Sequence, residues 1–356
     1  MKILKQKFWR AFFLIFTLLF IAGGVFVWMF GPKIYWRVKN FTRGNLVWGA
    51  PDKEIRHSDN DIPVVVTTDD AYTLQTVVML TSLFMNANPE TFYKVDVLVT
   101  DEFSPTNKNK ILSLQDTYKN CDIEFINMRD CFKNAFLSKH FSEVVYYRLR
   151  IPTVLEARKK CIYMDVDIVV KGDLTSLYNC DMGDNWLAGV ADAGRSTFYE
   201  NEAEAKRKEE DRKSMDLASR DQYINSGVLV FNLEAIRQHD VENKFKTFLQ
   251  THRDPIQHDQ STINSVAYGH IFPLKLECNV QMYMFSVKGY GEDKKKYSLL
   301  FSEAEWRDAW KNPLVMHFAG EKPWNDPTAY GIEEWWKVAR QTPCWVEILQ
   351  KFRTTK

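Results

Sequence analysis

The sequence has no C-x-x-C pair. Its six Cys, at positions 121, 131, 161, 180, 278 and 344, are too scattered for a zinc ribbon or a thioredoxin-type redox motif. It also has no excess of charge of either sign. Lys and Arg number 47 against 46 Asp and Glu, leaving a net charge of +1 over 356 residues, whereas a dedicated nucleic-acid binder carries a basic excess or stripe. No internal repeat of about 20 to 50 residues is visible, which removes solenoids and propellers. Compositional bias is missing too: charged residues at 26% and hydrophobic residues at 45% exclude collagen-like, disordered and small disulfide-scaffold chains. What remains is an ordinary globular chain, long enough for one large α/β domain.

One long apolar run stands out. Residues 11–30, AFFLIFTLLFIAGGVFVWMF, carry no charge, and a helix of about 20 residues at ~1.5 Å per residue spans a ~30 Å hydrocarbon core. The run exceeds the h-region of a cleaved signal peptide and lacks a small-x-small site after it, so a retained anchor is expected. Lys2, Lys5, Lys7 and Arg10 before it are balanced by Lys33, Arg37, Lys39 and Arg43 after it, which leaves the orientation open. The expected layout is a basic N-terminus over 1–10, an anchor over 11–30, a polar stem over 31–61, a domain over 62–330 and an aromatic, basic helical tail over 331–356.

Beyond the stem, apolar runs alternate with helical patterns. Ile62-Pro-Val-Val-Val-Thr-Thr, Val95-Asp-Val-Leu-Val-Thr and Ile123-Glu-Phe-Ile read as strands, with helices over 73–87 and 105–119 between them. Cys161-Ile-Tyr-Met, Ile168-Val-Val, Trp186-Leu-Ala-Gly-Val and Gly227-Val-Leu-Val-Phe continue the series. Strand–helix alternation with β-branched strands predicts a mostly parallel sheet covered by helices on both faces. The highly charged stretch over 200–213 predicts a solvated helix with Glu202/Lys206 and Glu204/Lys208 at i,i+4 spacing.

Chemistry concentrates at Tyr163-Met-Asp165-Val-Asp167. Two carboxylates at the end of a buried strand are costly to desolvate unless a positive charge meets them. A hard divalent cation, Mn²⁺ or Mg²⁺, would meet them and would also bridge the phosphates of a nucleotide. The D-x-D spacing alone has little weight, since Asp59-Asn-Asp61 repeats it in a loop; the apolar strand in front of Asp165 is what adds to it. Asp69 and Tyr72 follow the first strand, where open α/β sheets bind nucleotides, although Asp69 reads equally as an N-cap. Arg148 lies on a helical pattern, and its planar guanidinium could orient a sugar and the Asp165 carboxylate, or simply sit at the surface. Gly320 permits close backbone approach to a phosphate, and Lys322 supplies a charge beside it.

Several blocks in order, Thr67-Thr-Asp-Asp-Ala-Tyr72, Tyr147-Arg148-Leu, Asp165-Val-Asp167, Ala191-Asp192-Ala-Gly, Tyr223-Ile-Asn225-Ser-Gly, His258-Asp259-Gln260 and His317-Phe-Ala-Gly-Glu-Lys322-Pro-Trp324, make the chain resemble glycosyltransferase family 8. That family comprises retaining nucleotide-sugar transferases of the GT-A fold, among them bacterial lipooligosaccharide galactosyl- and glucosyltransferases and, more distantly, glycogenin. The resemblance spans 62–350.

The resemblance implies a hexosyltransferase moving galactose or glucose from a UDP-sugar to a glycan or glycolipid. It implies His317 as third metal ligand beside Asp165 and Asp167, Thr67, Asp69, Tyr72, Gly320 and Lys322 on the UDP, and Arg148, Asp192, Asn225 and Asp259 on the sugar. Gln260 is then expected near the anomeric carbon, opposite the leaving phosphate. A double displacement wants a carboxylate there, and Gln260 is an amide. Front-face transfer is therefore expected, with Asp259 as the alternative nucleophile. Ala71 stands where family members often have Asn, removing one base or ribose contact. Two other readings are a self-glucosylating primer and an inactive transferase-fold binding protein. With the anchor, the expected location is the cytoplasmic face of a bacterial inner membrane, or a Golgi type II orientation.

Overall fold

The computed structural model describes residues 43–52, 61–138, 142–194, 222–252, 258–285 and 300–353, with positions 209, 215–217 and 219 between them. A seven-stranded sheet organises them, in the order β3-β2-β1-β4-β7-β6-β8. Its strands are β1 (Ile62–Thr67), β2 (Tyr93–Val99), β3 (Cys121–Asn127), β4 (Lys160–Met164), β6 (Leu187–Ala191), β7 (Ile224–Asn232) and β8 (Ile271–Pro273). The pairs β1–β2, β2–β3, β1–β4 and β6–β8 are parallel, while β7 runs antiparallel to both β4 and β6. The expected mostly parallel α/β sheet is present, with one reversed strand inside it.

Alternate residues of each strand enter different cores. Val65, Tyr163 and Phe231 point to one face, and Val64, Val66, Ile162 and Val230 to the other. Burial on both faces explains why these strands are nearly continuous Val and Ile.

Ile168–Val170 departs from expectation. It does not extend the large sheet; it forms β5 of a second sheet, antiparallel to β10 (Val315–His317), which in turn pairs in parallel with β9 (Val280–Gln281). The bend at Asp165-Val-Asp167 redirects the chain and takes these two carboxylates, two residues apart, out of a strand buried on both faces, where both would be costly to desolvate. The two sheets therefore meet at that bend.

Four helices frame the site. These are α1 (Thr73–Met85), α2 (Pro105–Leu112), α3 (His258–Val266) and α4 (Ile332–Ala339). A fifth, α5 (Trp345–Arg353), closes the chain. The helix expected over 105–119 breaks at Ser113. In the C-terminal stretch, Trp335 and Ile348 are wholly buried in a third core with Trp306, Trp324 and Phe318.

Residues 43–52, expected within a linker, hydrogen-bond to the domain instead. The Val47 N–H donates to the Lys133 carbonyl at 2.9 Å and its own carbonyl accepts from the Phe132 N–H at 2.8 Å, the Asp52 N–H reaches the Asn127 carbonyl at 2.9 Å, and Trp48 stacks edge-on against Phe132. The apolar run over 11–30 and, apart from position 209, the charged stretch over 200–213 lie outside the described residues. The expectation of a single-pass membrane protein is corrected: no helix among the described residues is long and apolar enough to cross a membrane.

One buried charge is not part of the site. Asp96, in the middle of β2, is wholly buried, and neither of its carboxylate oxygens has a hydrogen-bond partner. Burial drives its pKa up, Lys94 only partly opposes this, and the value reaches about 7. The folded protein holds this proton more tightly than the unfolded chain. The associated stability is therefore full below the ordinary carboxylate range and is lost as pH rises through about 7. Asp96→Val, matching its neighbours Val95 and Val97, is expected to gain about 1–4 kcal/mol at pH 8 and to gain little near pH 4. Urea denaturation at the two pH values checks this, and equal shifts at both would contradict it.

Candidate active site

The bend after β4 assembles the charged cluster. The Asp165 N–H still donates to the Gly227 carbonyl of β7 at 2.8 Å, while Asp167 has moved across to the small sheet, its carbonyl accepting from Phe318 at 2.9 Å. There β5 pairs Ile168 opposite His317, which brings His317 Nε2 to 3.2 Å from Asp167 Oδ1. One ligand atom each from Asp165, Asp167 and His317 lies within 4.8 Å of the others. Two carboxylates and an imidazole suit Mn²⁺ or Mg²⁺, and no other such group of three occurs among the described residues.

Lys322 pairs with the second oxygen of Asp167 and also donates to the Phe318 carbonyl at 2.7 Å. Burial alone would raise the Asp167 pKa. Lys322 and His317 outweigh it and hold the carboxyl well below its usual range, so the group is an anion at any working pH.

His317 fits because Gly227 faces it. A Cβ built on Gly227 would lie 2.2 Å from His317 Cε1 and under 3 Å from both ring nitrogens. The imidazole therefore rests on bare backbone of the large sheet. Asn279 Oδ1 lies 3.0 Å from His317 Nδ1.

Arg148 joins the cluster to its neighbours. It comes from a 3-10 segment, Glu143–Arg150, and is buried. Its Nη2 reaches Asp165 at 2.8 Å, its Nε lies 3.1 Å from Asp259 Oδ2, its Nη1 donates to the Ser226 carbonyl at 2.6 Å, and its plane sits 4.2 Å from the Tyr163 ring centre. Tyr163 in turn donates to Asp165 at 2.7 Å and contacts Thr67 Oγ1 at 3.0 Å.

Asp259 and Gln260 occupy the first turn of α3 and face opposite tasks. Asp259 is buried against Arg148 and the Ser226 hydroxyl, 3.2 Å away. Burial is the main reason its pKa rises to about 6; Asp165 adds to the rise and Arg148 opposes it. Gln260 is more open. Its Oε1 accepts from the Ser226 N–H at 3.0 Å, and its Nε2 donates to Asp192 at 3.0 Å. Asp192 also faces the Asn225 amide at 3.3 Å and accepts from the Gly194 N–H at 3.0 Å.

At the other side, Asp69 caps the turn Asp70–Tyr72. One oxygen accepts from the N–H groups of Ala71 and Tyr72, both at 3.1 Å, and the other from the Ser142 hydroxyl at 3.1 Å. Asp69 thus caps this 3-10 turn, whereas the helix from Thr73, which it was expected to cap, has Tyr72 at that position and no side-chain cap bond. Tyr72 is partly exposed, edge-on to Trp324 with ring centres 6.3 Å apart, and close enough to feel the charges of Lys322 and Asp167. Thr67 is buried and turned to Tyr163. Gly320 has φ of +116°, and Tyr283 lies directly against it.

The structure thus brings Asp165, Asp167, His317, Lys322, Arg148, Asp259, Gln260, Asp192 and Asn225 into one contact network, with Thr67 behind it and Asp69 and Tyr72 at its edge. Sequence reasoning gave no role to Tyr163, Ser226, Gly227, Asn279 or Tyr283. Strand alternation carried a signal for the first, since Tyr163 and Asp165 are two residues apart and share a side.

Comparison with known proteins bears on the family and the fold. The profile of glycosyl transferase family 8 matches residues 63–328. General stress protein A of Bacillus subtilis is 28% identical over 280 residues, covering 76% of this chain and 90% of that protein. The galactosyltransferase LgtC, solved with donor and acceptor sugar analogues, superposes with a TM-score of 0.63 at 26% identity, covering 79% of this chain and 96% of LgtC. The bifunctional glycosyltransferase WbbM shares the fold with a TM-score of 0.70 at 24% identity over 85% of this chain, which spans 53% of WbbM. The matched span runs from β1 past Lys322, and the chain belongs to glycosyl transferase family 8, as a glycosyltransferase of the GT-A fold.

Proposed function

We propose that the protein moves a hexose, galactose or glucose, from a UDP-sugar to a glycan acceptor with retention of configuration and with Mn²⁺ as the favoured metal. The observation that carries this reading is the cluster of Asp165, Asp167 and His317 beside Gln260 and Asp192. Three groups able to ligate a cation in the same network as an amide and a carboxylate able to hold sugar hydroxyls support this reading. The likeness to LgtC, a galactosyltransferase, supports a hexose donor.

Asp165, Asp167 and His317 would hold the ion, which when bound supplies charge stabilisation to the diphosphate. Lys322, at the same carboxylate, adds a positive charge where the leaving UDP becomes more negative. Asp192 and Asn225 present acceptors and donors to the hexose. The bond from the anomeric carbon to the phosphate oxygen breaks, the bond to the acceptor oxygen forms on the same face, and the acceptor proton passes to the departing phosphate oxygen. Gln260, its amide fixed by Ser226 and Asp192, offers a dipole to the positive charge developing at the anomeric carbon. Asp259 is a poor candidate nucleophile because Arg148 and Ser226 already engage its carboxylate within the protein.

A panel of UDP-galactose, UDP-glucose and UDP-N-acetylglucosamine with Mn²⁺, read by UDP release and by NMR of the product anomer, tests the proposal. An α-linked product is expected, and a β-linked product overturns it. Gln260→Ala is expected to slow transfer by about 10- to 100-fold, roughly 1.4 to 2.7 kcal/mol, with the α configuration kept. Intact-mass measurement on the wild type should show no covalent sugar; an adduct on Asp259 would replace front-face transfer with double displacement.

A further inference from the structure

We propose that Asn279 is a positioning residue for His317: it holds the ring proton on Nδ1 and so leaves the Nε2 lone pair facing Asp165 and Asp167. The proposal rests on the metal reading of that cluster, and it follows from hydrogen-bond polarity along a buried chain of amides.

Amide oxygen and nitrogen look alike in shape, so their orientation has to be derived from a partner that cannot reverse. Here that partner is a backbone N–H. The Gly227 N–H lies 3.0 Å from one end of the Asn225 carboxamide, which must therefore be its oxygen. The other end is the NH₂, and it faces Asp192 at 3.3 Å, as an acceptor-only carboxylate requires.

The same Asn225 oxygen lies 3.0 Å from the Asn279 carboxamide, so Asn279 presents its NH₂ there. Its oxygen is then left for His317 Nδ1 at 3.0 Å. An oxygen can only accept, so Nδ1 carries a proton. Asn279 is wholly buried, and His317 and Asn225 are nearly so, which leaves little room for a water to reverse the polarity of any link.

The consequence falls on the far nitrogen. Nε2 points to the cluster, 3.2 Å from Asp167 Oδ1. A proton fixed on Nδ1 makes Nε2 the atom whose lone pair a cation can take, and hydrogen bonding of the second ring nitrogen is the usual means by which a protein sets this. The chain also runs from Asp192 and Asn225 to His317, so the groups assigned to the hexose and the group assigned to the metal share one polarity.

The tautomer can be read directly in protein labelled with ¹⁵N in its histidine rings, using long-range proton–nitrogen correlation. His317 is assigned by the peaks that vanish in His317→Gln. In the wild type, with UDP and diamagnetic Mg²⁺ or without them, Nδ1 should carry the proton. Asn279→Leu should lose that fixed pattern and bind Mn²⁺ about 10- to 100-fold more weakly by electron paramagnetic resonance of the free ion. Asn279→Asp keeps an oxygen at Nδ1 and should restore both the pattern and most of the Mn²⁺ affinity, which a purely structural role would not predict.

An unprotonated Nδ1 in the wild type overturns the proposal, as does Asn279→Leu with unchanged ring signals and unchanged Mn²⁺ affinity. If Asn279→Leu does not fold, the wild-type spectrum and Asn279→Asp decide the matter. A protein with the Nδ1 proton and normal Mn²⁺ binding but no sugar transfer would refute the proposed reaction and leave this assignment standing.

Discussion

Asp167→Ala is expected to reduce kcat/KM by roughly 10³-fold, about 4 kcal/mol of transition-state stabilisation, without unfolding the protein. The carboxylate serves three positive or potentially positive partners at once: the cation position, Lys322 and His317. In the proposed reaction, removing it takes one of the three metal ligands away and leaves the cation of Lys322 without its acidic partner. The fold should tolerate the change, because the Asp167 carbonyl still accepts from Phe318 and Lys322 still donates to the Phe318 carbonyl. Circular dichroism should therefore match the wild type while Mn²⁺ binding falls. Activity above a tenth of the wild type, or full wild-type activity in excess EDTA, would show that the cluster does not hold an ion needed for transfer.

The second large effect concerns stability. Arg148→Ala should cost about 3–5 kcal/mol at pH 8, because it strands two carboxylates that one guanidinium now compensates. Asp165 and Asp259 both reach Arg148, and two backbone carbonyls, of Val145 and Ser226, also lose a donor. Lysine should rescue this only partly, since an ammonium group cannot reproduce the planar fork or lie over the Tyr163 ring. Without Arg148 the Asp259 carboxyl takes up its proton at a still higher pH, so the deficit should shrink as pH falls from 8 towards about 6 and change little below that. Urea denaturation across pH measures both statements. A loss below about 1 kcal/mol at pH 8 would mean that Arg148 is peripheral to the buried charges.

The large sheet was legible because its strands are buried on both faces and therefore written in Val and Ile. The edge at which its parallel strands end was also legible: Asp69 after β1 and Asp165 after β4 mark where polar residues are tolerated. The antiparallel sense of β7 left no mark, since a buried strand looks the same from either direction. The small sheet left even less. Strands β5, β9 and β10 are two or three residues long, too short for any periodicity, so Ile168–Val170 was joined to the wrong sheet. Within the site, the charged residues came from ordered blocks, whereas Asn279 lies in a 3-10 turn before β9 and gains its meaning only when Asn225 and His317 flank it. The apolar run over 11–30, read from composition as an anchor, lies outside the described residues, among which no helix is long and apolar enough to cross a membrane.

Gly227 has a consequence for anyone who would transplant this site. Copying Asp165, Asp167 and His317 onto another pair of sheets reproduces every atom that touches the cation position, yet the graft fails if the facing strand bears an ordinary side chain. A single methyl group there would lie 2.2 Å from the imidazole and push the ring out of reach of the carboxylates. The specification of the site therefore includes one empty place, and any scaffold chosen to receive it must be selected for that gap first.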